Sequence, residues 1–255
     1  MKLNYPPVES FVIEAYPTDP YINYELIEGQ NIISYVGSNG MGVTEAIPDE
    51  FENRFYGIIG QGTATLQLTE GNWVGSLTQF YNLKGYWAQV DEDMDFNWNI
   101  PEDLVRESIA KVNNLEPVPS EFMYSQSTQQ AFYFIEDVIV DGEPIEMGDW
   151  IIATYNGELV GARQWVGPFT DIPVMGIDGQ IETSEYVAVG DSPEFWVVKE
   201  SSGAEIKIQG VIQPWQNNEL YFLNTMVATT IPDEFILLST YPNPFNPVTR
   251  IEFGL

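Results

Sequence analysis

The C-terminal half of the sequence consists of short stretches of β-branched and aromatic residues separated by turn-forming pairs. QAFYFIEDVIV is followed by DGEP, DWIIATY by NGE, and EFWVVKE by SSGA. Because Asp, Asn and Gly tolerate positive φ, Asp-Gly and Asn-Gly favour tight turns between antiparallel strands. The regular spacing of strands and turns predicts an antiparallel β-sandwich module over residues 117–230.

The N-terminal half has a mixed pattern, which predicts an α+β module over residues 31–116 after a connector or edge strand over 1–30. Thr44 is a suitable N-cap, and the apolar residues that follow recur at three- and four-residue steps, which predicts an amphipathic helix. These residues are Ile47, Phe51, Phe55 and Ile58 or Ile59. Gly60 or Gly62 would end this helix.

Further segments complete the predicted N-terminal module. TATLQLT and GYWAQVD have the composition of strands. Pro101 stands where a first helical turn tolerates proline, and EDLVRESIAKVNNL has helical apolar spacing, so a second helix is expected there. The predicted fold class is therefore mainly β with a minor α+β part.

The charge balance argues against two classes of partner. The chain has 38 acidic and 9 basic residues, for a formal net charge of −29. Such a surface repels phosphate backbones and anionic headgroups, so we expect no nucleic-acid partner. No apolar run approaches the roughly 20 residues that span a bilayer, so we expect no membrane insertion either.

The chain contains neither cysteine nor histidine, which removes whole classes of catalytic site. Thiolate zinc sites, cysteine nucleophiles and Ser-His-Asp triads all require one of these side chains. A pair of carboxylates, as in glycoside hydrolases, remains available for general acid/base catalysis. Since nothing in the sequence distinguishes two of the 38 acids, a non-catalytic protein is expected.

The stretch DEDMDFN is the candidate metal site. Asp91, Asp93 and Asp95 alternate and could converge on Ca²⁺, which prefers oxygen ligands. The pattern lacks the glycine and the distal glutamate of an EF-hand loop, so a solvated acidic turn is the alternative. No other cofactor is expected.

The seven tryptophans suggest either a hydrophobic core or an aromatic platform that stacks on sugar rings. Most of them stand in strand patterns beside Ile, Val and Tyr, where core packing is the usual role. Trp165, next to Arg163 and before the turn GPFTD, is the candidate for ligand binding.

The closing stretch YPNPFNPVTRIEFGL resembles the beginning of the C-terminal sorting domain of type IX secretion system cargo from Bacteroidetes and related bacteria. The matching residues are Tyr241, Pro242, Asn243, Pro244, Phe245, Asn246 and Pro247, followed by Thr249, Ile251 and Phe253. The resemblance implies a secreted or outer-surface location and the secretion machinery as a partner. It also implies that residues 231–255 are a linker and the truncated start of that domain, loosely attached here.

Together these observations favour a non-catalytic structural, adhesion or ligand-binding module of a larger secreted, surface-anchored protein. The alternative is an extracellular carbohydrate-active protein, either a carbohydrate-binding module or a two-carboxylate glycoside hydrolase. A third reading is a calcium-stabilised adhesin. A polysaccharide or a surface protein would be the ligand of such a module. Exposed tryptophans on a flat sheet face would favour sugar binding without hydrolysis, and two acids in an aromatic cleft would favour hydrolysis.

Overall fold

The computed structural model describes residues 19–100 and 118–230, together with the backbone of residues 236–241 and 250–254. Within these residues the chain forms several antiparallel and mixed sheets and almost no helix. The mainly β fold class predicted from the alternating segments is therefore confirmed. Within residues 19–100 the helical content expected for the N-terminal module is limited to two single turns.

Residues 19–100 form nine strands and two single-turn helices. In chain order these elements are β1 (Tyr24–Leu26), β2 (Gly29–Ser34), β3 (Met41–Gly42), α1 (Val43–Ala46), α2 (Asp49–Glu52), β4 (Phe55–Gly60), β5 (Thr63–Thr69), β6 (Asn72–Gly75), β7 (Gln79–Phe80), β8 (Gly85–Val90) and β9 (Met94–Phe96). A five-stranded antiparallel sheet has the order β2-β8-β4-β5-β6. β1 pairs with β9 and β3 pairs with β7 in two small antiparallel ribbons.

The amphipathic helix predicted from Thr44 to Ile59 is wrong. Pro48 separates α1 from α2, and the preceding Ile47 is extended (φ −93°, ψ 122°), as a residue before proline prefers. From Phe55 the chain runs as β4, which is hydrogen-bonded to β5 and β8 and has five of its six residues buried. Sheet pairing therefore overrides the local helical spacing, and Gly60 ends a strand.

Residues 118–230 form a 3-10 turn and ten strands. They are the turn Ser120–Phe122, β10 (Gln130–Ile135), β11 (Val138–Val140), β12 (Glu143–Pro144), β13 (Trp150–Tyr155), β14 (Glu158–Gln164), β15 (Thr170–Met175), β16 (Glu194–Val198), β17 (Glu205–Gln209), β18 (Leu220–Leu223) and β19 (Met226–Ala228). A three-stranded sheet has the order β15-β10-β18, and a seven-stranded sheet has the order β12-β11-β19-β17-β16-β13-β14.

The two hairpin turns predicted from sequence are confirmed. Asp141 and Gly142, between β11 and β12, have φ values of 50° and 90°. Asn156 and Gly157, between β13 and β14, have φ values of 50° and 86°. Consecutive positive φ angles are the geometry of the two-residue turns whose twist matches that of the flanking strands.

Both sheets of this half are mixed, so the expectation of a purely antiparallel module is wrong. β10 pairs with β18 in parallel, and β11 pairs with β19 in parallel. Phe132 lies opposite Leu220, and the same offset persists to Val140 opposite Ala228. These strands therefore form one parallel ribbon that passes from the three-stranded sheet into the seven-stranded sheet.

β10 is buried on both faces and separates two hydrophobic cores. Tyr133 and Ile135 point into a core shared with the seven-stranded sheet. Phe132 and Phe134 point the other way, into a core shared with Ile59 and other residues of β4 and β5. A third core covers the opposite face of the five-stranded sheet. The three-stranded sheet is thus the middle of three stacked layers.

Polar groups reinforce the contact between the first and second halves of the chain. The Nε2 of Gln130, at the start of β10, donates to the Gly60 carbonyl (2.9 Å), and its Oε1 accepts from the Gly62 amide (3.1 Å). The Nε2 of Gln89 donates to the Asn218 carbonyl (2.5 Å). These buried amides satisfy backbone groups that the junction removes from water.

The C-terminal strands β20 (Ile236–Tyr241) and β21 (Arg250–Gly254) form an antiparallel hairpin. The strand expected around Ile251 and Phe253 is therefore confirmed, and it pairs with β20, which the sequence had suggested to be linker. Tyr241 ends β20, whereas the rest of the sorting motif, 242–247, lies outside the described residues. The predicted helix after Pro101 lies outside them as well.

Candidate functional site

The outer face of the seven-stranded sheet brings two tryptophans onto adjacent strands. Trp150 in β13 lies opposite Val198 in β16, and Ile152 lies opposite Trp196. Because side chains alternate along a strand, all four project from the same face. Ile151, between the first two, is buried in the core on the other side of the sheet.

The 3-10 turn covers one end of this face. The ring of Phe122 stacks on Trp150, with ring centroids 4.6 Å apart and an angle of 29° between the planes. Phe122, Ile152, Ala162 and Val198 form a small buried cluster, around which Trp150 and other side chains are half-buried. The cluster fixes the turn on the sheet and leaves part of the Trp150 side chain accessible.

An open groove of about 740 Å³ lies between the turn and the sheet. We call it the outer groove. Its apolar lining comes from Val118, Phe122, Trp150, Ala162, Val166 and Val198. Its polar lining comes from Glu121, Arg163, Gln164, Lys199 and Glu200. Aromatic and aliphatic walls with a few polar groups are typical of ligand sites.

Lys199, in the outer groove, is already paired. Its Nζ lies 2.7 Å from the Oδ2 of the buried Asp149 and 3.2 Å from Glu146 Oε2. Asp149 also accepts hydrogen bonds from the Glu200 amide (3.0 Å) and the Glu146 amide (3.2 Å). Burial alone would lower the pKa of Lys199, but these two carboxylates raise it above the ordinary value, so the ammonium stays charged.

Arg163, predicted from sequence as a ligand contact, binds groups in the protein interior through its guanidinium. Its Nη2 donates to the Gly62 carbonyl (2.9 Å) and lies 3.1 Å from the buried Asp171 Oδ2. Asp171 also accepts from the Ser76 hydroxyl (2.7 Å). Burial raises the pKa of Asp171, against the opposing effects of Arg163 and Ser76. Arg163 therefore links the two halves of the chain and only lines the groove.

Trp165, the other residue singled out from sequence, is buried and only 3% exposed. Its ring packs in the core between the three- and seven-stranded sheets. Its amide donates to the Asp149 carbonyl (2.7 Å). The ring therefore has no face available for a ligand.

Trp150 and Trp196 are the tryptophans that the structure places on the outer face, and sequence reasoning did not single them out. The sequence contains a weak indication of this placement, because each tryptophan alternates with the core residues of its strand. In β16, Phe195 and Val197 are in the core, which leaves Trp196 on the outer face. Trp196 Nε1 donates to Thr154 Oγ1 (3.1 Å), and Lys207 Nζ lies 5.5 Å from its ring centroid.

The candidate calcium ligands Asp91, Asp93 and Asp95 are exposed in or near β9, and the side chains of two of them accept hydrogen bonds from the segment around β1. Asp93 Oδ1 accepts from the Glu28 amide (2.8 Å), and Asp95 Oδ1 accepts from Asn23 Nδ2 (3.3 Å). Among the described residues there is no group of three or more His, Cys, Asp or Glu side chains arranged to hold a metal ion.

A second cavity, of about 390 Å³, contains two carboxylates. Glu158 and Glu182 line it together with Tyr124 and Tyr186, and both acids are exposed. Tyr186 Oη accepts from the Ser125 amide (2.8 Å), and burial raises the pKa of Tyr124. This cavity therefore offers one candidate pair for a two-carboxylate hydrolase.

Comparisons with protein-family models, with curated proteins and with solved structures give no match. No helix within the described ranges has the length and apolar character needed to cross a membrane. Function is therefore inferred from the grooves and their side chains.

Proposed function

We propose that residues 118–230 form a β-sandwich module that binds a polysaccharide without cleaving it, as part of an extracellular protein. The core between the three- and seven-stranded sheets supports the sandwich assignment. The observation that carries the binding function is the outer groove, in which the half-exposed Trp150 lies on a sheet face.

The lining of the outer groove suits a sugar chain. Aromatic rings stack on the apolar faces of sugar rings, while Gln164 and Glu200 offer donors and acceptors for hydroxyl groups. The groove is open to solvent, so an extended chain can enter it. Trp196, on the neighbouring strand, continues the aromatic surface beyond Trp150.

The charges of the groove narrow the ligand class. Lys199 and Arg163 are each paired with buried carboxylates, so neither is free to bind an anion. A ligand rich in uronate, sulfate or phosphate would also be repelled by a protein of net charge −29. Uncharged or positively charged polysaccharides are therefore the expected class.

Trp150→Ala tests the proposal. With isothermal titration calorimetry against a panel of soluble polysaccharides, we expect the full chain to bind at least one uncharged or cationic member. We expect the variant to bind it about tenfold more weakly or not at all, because it loses about 0.5–1.5 kcal/mol of ring stacking together with the apolar area that the ring buries. Tyr21→Ala, which removes an exposed aromatic from the first half of the chain, is the matched control.

Two measurements keep this test decisive. Thermal melting shows whether Trp150→Ala still folds, and Trp150→Phe supplies a milder change that keeps a ring at the position. Product analysis of the same polysaccharides should detect no cleavage. Turnover that a single substitution abolishes would replace the binding module with the two-carboxylate hydrolase. The substitutions to make are Glu158→Gln and Glu182→Gln in the second cavity, and Glu121→Gln and Glu200→Gln in the outer groove. Equal binding by wild type and Trp150→Ala would contradict the proposed groove.

We also propose that the chain works outside the cell, with the secretion machinery as a partner. The stretch from Tyr241 to Pro247 resembles the type IX sorting motif and supports this location. The test is to follow the protein, as its native host expresses it from the complete gene, by fractionating cells and medium. Retention inside cells, with secretion of a known cargo intact, would contradict the proposal.

A further inference from the structure

The outer groove carries more negative than positive charge. Four carboxylates lie in or directly beside it, and they are Glu121, Glu146, Asp149 and Glu200. Arg163 is paired with Asp171 in the interior. Lys199 is within 4 Å of Glu146 and Asp149, so it neutralises only part of the negative charge of the groove.

Two of these carboxylates, Glu121 and Glu200, are exposed at the lining of the groove. Within residues 19–100 and 118–230, no Lys or Arg side chain forms an ion pair with either of them. They stand near the half-exposed Trp150, whose ring face attracts a cation through its quadrupole. The groove thus combines free negative charge with an aromatic surface.

From this charge complementarity we infer that the ligand of the outer groove is a polysaccharide with free amino groups, such as a glucosamine polymer. The inference rests on the proposed binding function and specifies its ligand. The sugar rings stack on Trp150, and protonated amines of the same chain meet Glu121 and Glu200. The net charge of −29 also raises the local concentration of a polycation around the whole protein.

The test compares two oligosaccharides of equal length that differ only at nitrogen, glucosamine oligomers and their fully N-acetylated counterparts. Calorimetry is done on the full chain, at a pH where the amines are protonated. Because exposed ion pairs contribute about 0.2–1 kcal/mol each, two of them predict about twofold to thirtyfold tighter binding of the amine form. The preference should shrink at high salt, where charges are screened.

Variants locate the effect in the groove. Glu121→Gln with Glu200→Gln should remove most of the preference, because it weakens binding of the amine form more than binding of the acetylated oligomer. Glu182→Gln, an exposed carboxylate of the second cavity, should leave the preference intact and controls for a general loss of negative charge. Thermal melting verifies that each variant folds.

Each outcome bears on a different claim. Acetylated oligomers that bind as tightly as the amine form overturn the inference and leave a polysaccharide-binding groove in place. A preference that survives the double substitution places the amine site elsewhere and overturns it too. If neither oligomer nor any other polysaccharide binds, the proposed function itself fails.

Discussion

At the scale of single residues, Asp171 joins the two halves of the chain through a buried carboxylate. It is 2% exposed and meets Arg163 from one side and Ser76 from the other. Taking a carboxylate out of water disfavours its charged form, which is why burial dominates and raises its pKa. The junction therefore contains one group whose charge state depends on the folded structure.

This gives a pH prediction with a definite sign. In the unfolded chain Asp171 titrates near 3.8, and in the folded chain it titrates higher. Between these two pKa values the folded state holds a proton that the unfolded state has lost. The contribution of Asp171 to the free energy of unfolding is therefore complete below about pH 3.8, and it is lost as the pH rises through the raised pKa. The free-energy difference between wild type and Asp171→Asn, from urea unfolding, should decline over that interval and then level off.

Asp178 is the control residue, because its contribution to stability should change with pH in the opposite direction. Hydrogen bonds from Thr183 Oγ1 (2.6 Å) and the Thr128 amide (3.0 Å) lower its pKa well below the usual range. The difference between wild type and Asp178→Asn should therefore be present above about 3.8 and vanish as pH falls. Parallel slopes for the two variants would contradict the assignment of Asp171.

Residue roles were only partly predictable from the sequence. Trp165 and Trp150 both stand at strand ends beside polar residues, yet Trp165 is in the core and Trp150 lines the groove. The difference comes from which face of each strand meets the other sheet, and that depends on pairing with distant strands. The sequence reasoning chose Trp165 from its neighbour Arg163 and the following turn, and these local features do not determine which face of the strand a side chain occupies.

At the scale of elements, β14 and β15 approach each other closely at the edge where the two sheets of the second half meet. A Cβ added to Gly161 in β14 would lie 1.7 Å from the carbonyl oxygen of Pro173 in β15. That atom belongs to the backbone, so it cannot move aside as a flexible side chain would. The absence of a side chain at Gly161 therefore sets the distance between these strands.

Gly161→Ala should for this reason destabilise the fold by about 3 kcal/mol or more, the upper range for overpacking. Gly85→Ala is the matched control, because the nearest atom to its added Cβ is 3.9 Å away, and we expect it to cost about 1 kcal/mol or less. Urea unfolding of the three proteins measures both values. Similar midpoints for the two variants would show that β15 can shift to accept the methyl group.

Elements were predictable where their signals are local. The turns at Asp141-Gly142 and Asn156-Gly157 follow from two residues each, and both appear as predicted. The parallel ribbon had no such signal, since Phe132 and its partner Leu220 are distant in sequence and no turn connects them. The helix predicted after Thr44 failed because its spacing matched a helix while burial between β5 and β8 favoured a strand.

At the scale of the whole molecule, the net negative charge destabilises the folded state. The net charge of −29 is spread over a chain with only nine basic residues, so like charges repel more strongly in the folded state than in an expanded chain. Screening should relieve this repulsion. Between about 0.01 M and 0.15 M salt the screening length falls from about 30 Å to about 8 Å.

The melting temperature should therefore rise by several degrees over that range of NaCl, measured with a chelator present to exclude divalent cations. An uncharged osmolyte at equal osmolality serves as the control for general stabilisation. A melting temperature that is constant or falls with salt would mean that the ion pairs, such as Lys207 with Glu194, outweigh the repulsion.

The parallel ribbon of β10–β11 with β18–β19 also determines how the second half would respond to mechanical tension. Residue 118 precedes the first of these strands and residue 230 follows the last. A pull at both points therefore draws β10–β11 and β18–β19 in opposite directions along the strand axes. The hydrogen bonds between them are then loaded together in shear and cannot open one at a time from an end. A module tethered through these two points would resist being pulled apart while its outer groove stayed in place on the sheet.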